Sequence, residues 1–405
     1  MSSPRINMQS LNIVTLTISH FLWGFVNIVF FVEIQPFLLS IYGTGTDTAN
    51  ILGFIVSLGT LSAVLPLLLG FSADRYGRKN LIILGELLSF LGLVGLAFLP
   101  PENLSLVLSI VIFNLGTGLY DSPLQGLIHE SSTKRRGLAF SLIYNSSSIA
   151  GMIASLLIQI EGSNQFIYHF RASLVIFALS VILNLIILRD IKSNRKNIEI
   201  PLRRIINEPI SRLTVIAFIL DAFSWGIPLS IANGIFIILF GVSTSFIASL
   251  MLVQTFLIVL LQYPAGFLVD RLGRIIGLLM GELTGMIWIL FVLSAVNIPS
   301  MAQELLIIAY AGLGISVAFW RPSTTISFIA VDQSAPSTNY GILAFLTRMG
   351  WVPTAAIGGF LFPIIGYSPL LIITFVGTFV IIFIIYRIDK LESRSKSQDT
   401  PVSTL

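Results

Sequence analysis

The chain alternates long apolar runs with short polar breaks, and that alternation leaves few folds open to it. Residues 11–41, 49–70, 80–99, 104–127, 137–160, 166–188, 210–240, 246–267, 276–295, 303–326, 341–362 and 367–387 each read as one run, bounded by charges or turn residues. Crossing a hydrocarbon core of about 30 Å takes roughly 20 helical residues, whereas a membrane β-barrel would alternate over segments of about ten. The sequence therefore predicts an all-α membrane protein with twelve transmembrane helices. Charged residues are 10% of the chain, against about 25% in a soluble domain. The first run is too long for a signal-peptide core and lacks a small-residue cleavage pattern, so it is expected to remain as a span.

A charged turn occurs twice. Gly70-Phe71-Ser72-Ala73-Asp74-Arg75-Tyr76-Gly77-Arg78-Lys79 follows the second run, and Gly266-Phe267-Leu268-Val269-Asp270-Arg271-Leu272-Gly273-Arg274 follows the eighth. Gly85-Glu86-Leu87 and Gly281-Glu282-Leu283 repeat at that same offset, and Trp23-Gly24 is echoed by Trp225-Gly226. An internal repeat outranks other readings of fold. Six spans per copy is an even number, so both copies point the same way and should be related by an axis along the membrane normal. The expected organisation is an N-terminal six-helix bundle (1–188), a cytoplasmic linker (189–209), a C-terminal six-helix bundle (210–387) and a disordered cytoplasmic tail (388–405).

Of the 23 Lys and Arg residues, only Arg171, Arg321 and Arg348 fall in the interior of spans, away from their cytoplasmic ends. The others all lie on one side, while loops 43–48 and 100–103 on the opposite side carry none. The positive-inside rule then puts both termini in the cytoplasm of a chain spanning the plasma membrane. Orientation also accounts for the net charge of +4 without a nucleic-acid partner. There is no cysteine, hence no disulfide or thiolate metal site. None of His20, His129 and His169 is spaced as a metal pair. No metal or cofactor is expected; the expected partners are a small-molecule substrate, protons and the bilayer, with the chain a monomer.

Gly70, Asp74, Arg75, Gly77, Arg78 and Lys79 fit the Gly-x-x-x-Asp-Arg-x-Gly-Arg-Lys/Arg loop between helices two and three of the major facilitator superfamily. Gly266, Asp270, Arg271, Gly273 and Arg274 repeat it, with Ile275 in place of the last cation. The chain resembles that family from its first span to its twelfth, which implies two pseudo-symmetric six-helix bundles. A reversal this tight calls for glycine where φ turns positive, at Gly77 and Gly273. By resemblance the loops are conformational gates. Asp74 would face the start of helix eleven near Tyr340 and Gly341, and Asp270 the start of helix five near Arg136 and Gly137, each carboxylate meeting a positive helix end. Arg78 would pair with Glu130, and Arg274 with Asp332.

A charge at bilayer depth costs about 2.5–3.5 kcal/mol on insertion scales, which makes each one a functional candidate. Helix four carries Asn114, Thr117, Asp121 and Gln125 on one stripe. His20, Trp23 and Asn27 share a face of helix one; helix seven has Asp221, Trp225 and Pro228; helix ten has Tyr310, Arg321 and Thr325. In the family these four helices line the central cavity. Asp121 and Arg321 could form a locking salt bridge; alternatively, Asp121 or Asp221 carries a proton and Arg321 grips an anion. Trp23 and Trp225 serve packing or the cavity wall. Glu33 is similar to the acid that drug/proton antiporters carry in helix one, although it lies about 220° around the helix from His20. Glu86 and Glu282 are expected to brace the basic loops. Tyr144-Asn145-Ser146-Ser147-Ser148 and Gly151 suit close helix contact, but the Gly-Pro motif of the family's antiporters is missing from this helix.

The expected function is secondary transport by alternating access, with proton-coupled export of drug-like or metabolite compounds leading. Proton symport of a polar or anionic metabolite is second, and a transporter-like sensor without flux is the reading from another class. No Gly-x-x-x-x-Gly-Lys-Ser/Thr is present, and His129-Glu130 lacks the second histidine of a zinc protease, so an enzyme is not expected.

Overall fold

A computed structural model describes residues 8–60, 72–73, 75, 77–132, 136–162, 165–190, 207–329 and 336–398. The helices are α1 (Met8–Tyr42), α2 (Thr48–Thr60), α3 (Lys79–Phe98), α4 (Asn103–Ser131), α5 (Arg136–Glu161) and α6 (Phe166–Ile187). The second set is α7 (Pro209–Leu229, then Ala232–Phe240), α8 (Thr244–Leu272), α9 (Arg274–Asn297), α10 (Ala302–Ile329), α11 (Pro336–Trp351, then Thr354–Ile365) and α12 (Tyr367–Gln398). Among the described residues 11 helices are long and apolar enough to cross a membrane, and Thr48–Thr60 is a shorter apolar helix within the second expected span. α12 continues to Gln398, past residue 388 where the tail was expected to begin; residues 399–405 lie outside the described residues.

The repeat is visible in the packing. α1 packs on α5 and α6, and α3 on α4 and α6; six helices later, α7 packs on α11 and α12, and α9 on α10 and α12. The two six-helix halves meet along α5 with α8 and α2 with α11. Gly53 of α2 permits the second seam, since a Cβ there would meet the Ala355 carbonyl oxygen and lie 3.0 Å from the Gly359 Cα.

The loops bearing Arg75, Arg78, Arg271 and Arg274 define a basic end of the bundle, and Tyr42 and Gly241 lie toward the far end. A buried apolar cluster that includes Phe30, Leu52, Phe113, Ile235, Phe236 and Phe362 runs through both halves on the far side. Toward the basic end the described residues form separate clusters, one around Leu124 and Ile128 in the first half and one around Phe218 and Ile385 in the second.

Two helices of the second half are broken, and prolines explain both breaks. Pro228 has no N–H to offer the Ser224 carbonyl, which accepts instead from Thr374 Oγ1 at 2.8 Å. Two residues on, the helix opens at Ser230 and Ile231. Gln35 of α1 fills the opening: its Nε2 donates to the Ser230 carbonyl at 2.8 Å and its Oε1 accepts from Gly234 N–H at 2.8 Å. An unbroken helix would join those two backbone groups directly. In α11 the break falls at Val352 and Pro353, and Ser57 Oγ of α2 accepts from Ala356 N–H at 2.8 Å. Side chains of the first half thus satisfy backbone groups freed in the second.

Candidate functional site

A cavity of about 440 Å³ lies between the halves. Of the residues expected to line it, Trp23, Asn27, Asn114, Tyr310 and Arg321 do so. Arg321 faces the cavity, and among the described residues no carboxylate pairs with its guanidinium. The Tyr310 hydroxyl donates to Asn233 Oδ1 at 3.1 Å, and Asn233 Nδ2 donates to the Phe31 carbonyl at 3.3 Å, tying α10, α7 and α1 together at the far end.

The expected Asp121–Arg321 bridge is replaced by another. Asp121 Oδ2 meets Arg348 of α11 and accepts from the Tyr340 hydroxyl at 3.4 Å, while Gln125 Nε2 lies 3.4 Å from Asp121 Oδ1 and also meets the Tyr144 hydroxyl. This ion pair crosses from one half to the other on the basic side of the cavity; Asp121 forms the cross-half contact and Gln125 supports it from within the first half, neither being part of the lining. His20 is also off the lining; it is buried with its Nδ1 3.2 Å from the Tyr120 hydroxyl and its ring stacked on Trp23. Thr117 Oγ1 and Thr325 Oγ1 each donate to a carbonyl of their own helix.

Asp221 and Trp225 sit outside the cavity, inside the second half. Trp225 Nε1 is 3.4 Å from Glu282 Oε2, and Asp221 and Glu282 line one small pocket within that half. The repeat-related Glu86 accepts instead from Ser180 Oγ and Asn184 Nδ2, each at 2.8 Å. Glu33 lies off the cavity as well. Its Oε1 meets His169 Nδ1, and His169 Nε2 lies 2.6 Å from Glu161 Oε2.

At the basic end Arg78 is buried and pairs with Glu130, its backbone N–H donates to Asp190 Oδ1 at 3.0 Å, and Lys79 Nζ donates to the Leu185 carbonyl at 2.9 Å. Gly77 has φ 107° and Gly273 φ 96°, the left-handed values a tight reversal demands. Arg274 pairs with Glu392 in the extension of α12. Gly266 is half-buried within α8, and Arg75, Asp270 and Arg271 are exposed. Gly70, Asp74 and Asp332, and the side chains of Arg136 and Gly137, lie outside the described residues.

Gln35, Gln254, Ser147, Ser148 and Asn233 line the cavity without having been singled out for it. Gln254 and Gln262 are the two glutamines of the mostly apolar eighth span, which was the available signal for Gln254. The serines of helix five were legible only as packing residues.

The profile of one family, described as the Major Facilitator Superfamily, matches residues 16–218. The uncharacterized transporter YclF of Bacillus subtilis is 26% identical over 149 residues, 36% of this chain and 30% of that protein. The sialic acid transporter NanX of Escherichia coli is 33% identical over 127 residues, 30% of each chain. The multidrug resistance protein MdtH of Aeromonas salmonicida is 31% identical over 150 residues, covering 36% of this chain and 38% of that one. The matches thus span between about three tenths and two fifths of these relatives. Among solved structures, the human organic anion transporter MFSD10 superposes with TM-score 0.72 at 12% identity, covering 95% of this chain and 100% of that one. The peptide transporter POT in complex with sulfate gives 0.69 at 16%, covering 95% and 94%. At such identities the likeness concerns the fold.

Proposed function

Because the chain belongs to the Major Facilitator Superfamily, a family of membrane transporters, we propose that it moves a small amphipathic organic anion across the plasma membrane by proton-coupled alternating access. Residues 1–188 and 210–387 are the two moving bodies, and the distribution of Lys and Arg supports cytoplasmic placement of both termini. The observation that carries the substrate class is Arg321, a guanidinium at bilayer depth facing the cavity without a carboxylate partner among the described residues. A charge is kept there at a cost of a few kcal/mol, and a planar fork of donors suits a carboxylate or phosphate. The cavity walls also include Ile28, Phe31, Leu313 and Trp351, which favours a ligand with an apolar part.

This reading modifies drug export, the leading expectation from sequence, toward its runner-up, an anionic metabolite. The likenesses to a sialic acid transporter and an organic anion transporter support it, and the likeness to MdtH supports the apolar part of the ligand. Of the proton-carrying candidates, Asp121 is held by Arg348 and is better suited to a gate; Glu33 and Asp221 remain.

The test is a thermal-shift screen of small organic acids and their neutral amides on purified protein, since binding to the native state raises its stability. An acid that stabilises the protein should bind Arg321→Gln about 10- to 150-fold more weakly, the equivalent of about 1.5–3 kcal/mol for hydrogen bonds to a charge. Equal stabilisation by acid and amide, unchanged in Arg321→Gln, would discard the anion reading. Binding without acid-dependent proton flux in proteoliposomes under any gradient would favour the sensor.

A further inference from the structure

A stretch of α1 near the far end is held on two opposite faces. Phe31 and Gln35 face the second half, through Asn233 Nδ2 on the Phe31 carbonyl and the two bonds of Gln35 to Ser230 and Gly234. Glu33, about 200° around the helix from each of them, faces its own half, where its Oε1 meets His169 of α6. The other ring nitrogen of His169 meets Glu161 at the end of α5. Glu33 is 1% exposed and Glu161 35%, so the three groups form a line from the surface to the interior.

Proton counting constrains this line. Each carboxylate oxygen and each unprotonated ring nitrogen is an acceptor, so each of the two contacts needs a proton between its atoms. Two arrangements supply both: an imidazolium between two carboxylates, or a neutral imidazole between one carboxylate and one carboxylic acid. Both hold two bridging protons. Removing either proton sets two acceptors against each other and breaks a contact. The other titratable or charged groups at this end of the packed helices are Tyr42 of α1, Tyr168 and Arg171 of α6, Glu102 before α4, and Asp47 before α2. Tyr168 stands edge-on to His169, and Arg171 is engaged with the Ala97 carbonyl and the Phe98 ring. Glu33 Oε2 has no partner among the described residues, so His169 is the only described side chain anchoring that carboxyl.

We propose that Glu33, His169 and Glu161 form a proton-binding site that sets whether the far end of the cavity is closed. With both bridging protons present, α1 is fixed to α5 and α6, and Gln35 is presented to the break in α7. With one lost, the anchor releases and the far end opens. The site lies outside the cavity, so proton and substrate bind at different places. This rests on the alternating-access reading above.

The chain has no cysteine, so spin labels at Ser40→Cys and Leu239→Cys report the far end, and labels at Leu142→Cys and Leu272→Cys the basic end. In nanodiscs, raising the pH should move the far-end pair of the otherwise unaltered protein from a short to a long distance. Glu33→Gln places an amide donor against a neutral imidazole, keeping the contact without the titration; it should stay short at every pH. Glu33→Ala should populate the long distance throughout. A wild-type pH response in Glu33→Gln, or none in the parent while two distances are present, overturns the proposal and leaves alternating access standing. A single unchanging distance at both ends, with and without an acid from the screen, overturns both.

Discussion

Asp121→Asn should release the basic end of the bundle. The Asp121–Arg348 pair joins α4 to α11, and the described apolar clusters on that side are separate for the two halves, so this pair and the Tyr340 hydroxyl bear much of the contact. Breaking a fully buried pair costs about 3–5 kcal/mol, and an exposed pair contributes about 0–1 kcal/mol. With side chains 20% and 34% exposed, this pair falls between, at about 1–2 kcal/mol, which is roughly a 5- to 30-fold change in the ratio of open to closed molecules. Spin labels at Leu142→Cys and Leu272→Cys measure that ratio. Asp121→Asn and Arg348→Gln should each raise the open fraction, and the double variant should raise it no further, because two residues acting through one contact are not additive. Additive effects, or single variants indistinguishable from the parent, would refute the latch.

Gly53→Val should keep the far end open, since its side chain would meet the Ala355 carbonyl and Gly359 across the α2–α11 seam; the Ser40/Leu239 label pair reports it. Glu130→Ala removes the carboxylate that the buried Arg78 meets and should lower the thermal midpoint by the equivalent of up to about 3–5 kcal/mol, with Glu130→Gln losing less. Asp221→Ser removes one of two acids that line the same small pocket and should raise stability on the alkaline side, where two negative charges would stand close together. Thermal unfolding as a function of pH checks this, and an unchanged profile would refute the repulsion.

The spans, the repeat and the two positive-φ glycines were legible because each follows from local chemistry: hydrocarbon thickness, matching residues, a turn that tolerates no Cβ. Asn27, Asn114 and Arg321 were legible as polar residues on the inner faces of apolar helices. The partner of Asp121 was not. A stripe fixes the face of its own helix and says nothing about which residue of the other half comes opposite, so Arg321 and Arg348 were equally open to it. Pro228 and Pro353 announce breaks, yet Gln35 and Ser57, which satisfy the freed backbone groups, are far away in sequence. His169 looked isolated because a spacing rule searches along one chain segment, while its two carboxylates come from α1 and α5.

The two copies share a scaffold and differ in how their buried acids are satisfied. Glu86 and Glu282 occupy matching places, but α1 offers Ser19 where α7, aligned by its tryptophan, offers Asp221. In the first half the acid accepts from neutral donors of α6, which fix it without adding a charge. In the second half it meets Trp225 Nε1, with a second acid, Asp221, in the same small pocket. A similar asymmetry governs the ends. The far end combines a continuous apolar core with side chains seated in the breaks of α7 and α11, whereas among the described residues the basic end relies on Asp121, for which Arg348 and Arg321 are both cationic neighbours. Among the described residues, two guanidiniums and one carboxylate leave an excess positive charge beside the cavity. An anion bound at Arg321 would cancel it, relieving the repulsion on Arg348 and strengthening the latch to Asp121. On the proposed anion reading, occupancy of the cavity and closure of the basic end would be coupled by charge balance, with no contact required between the ligand and α11.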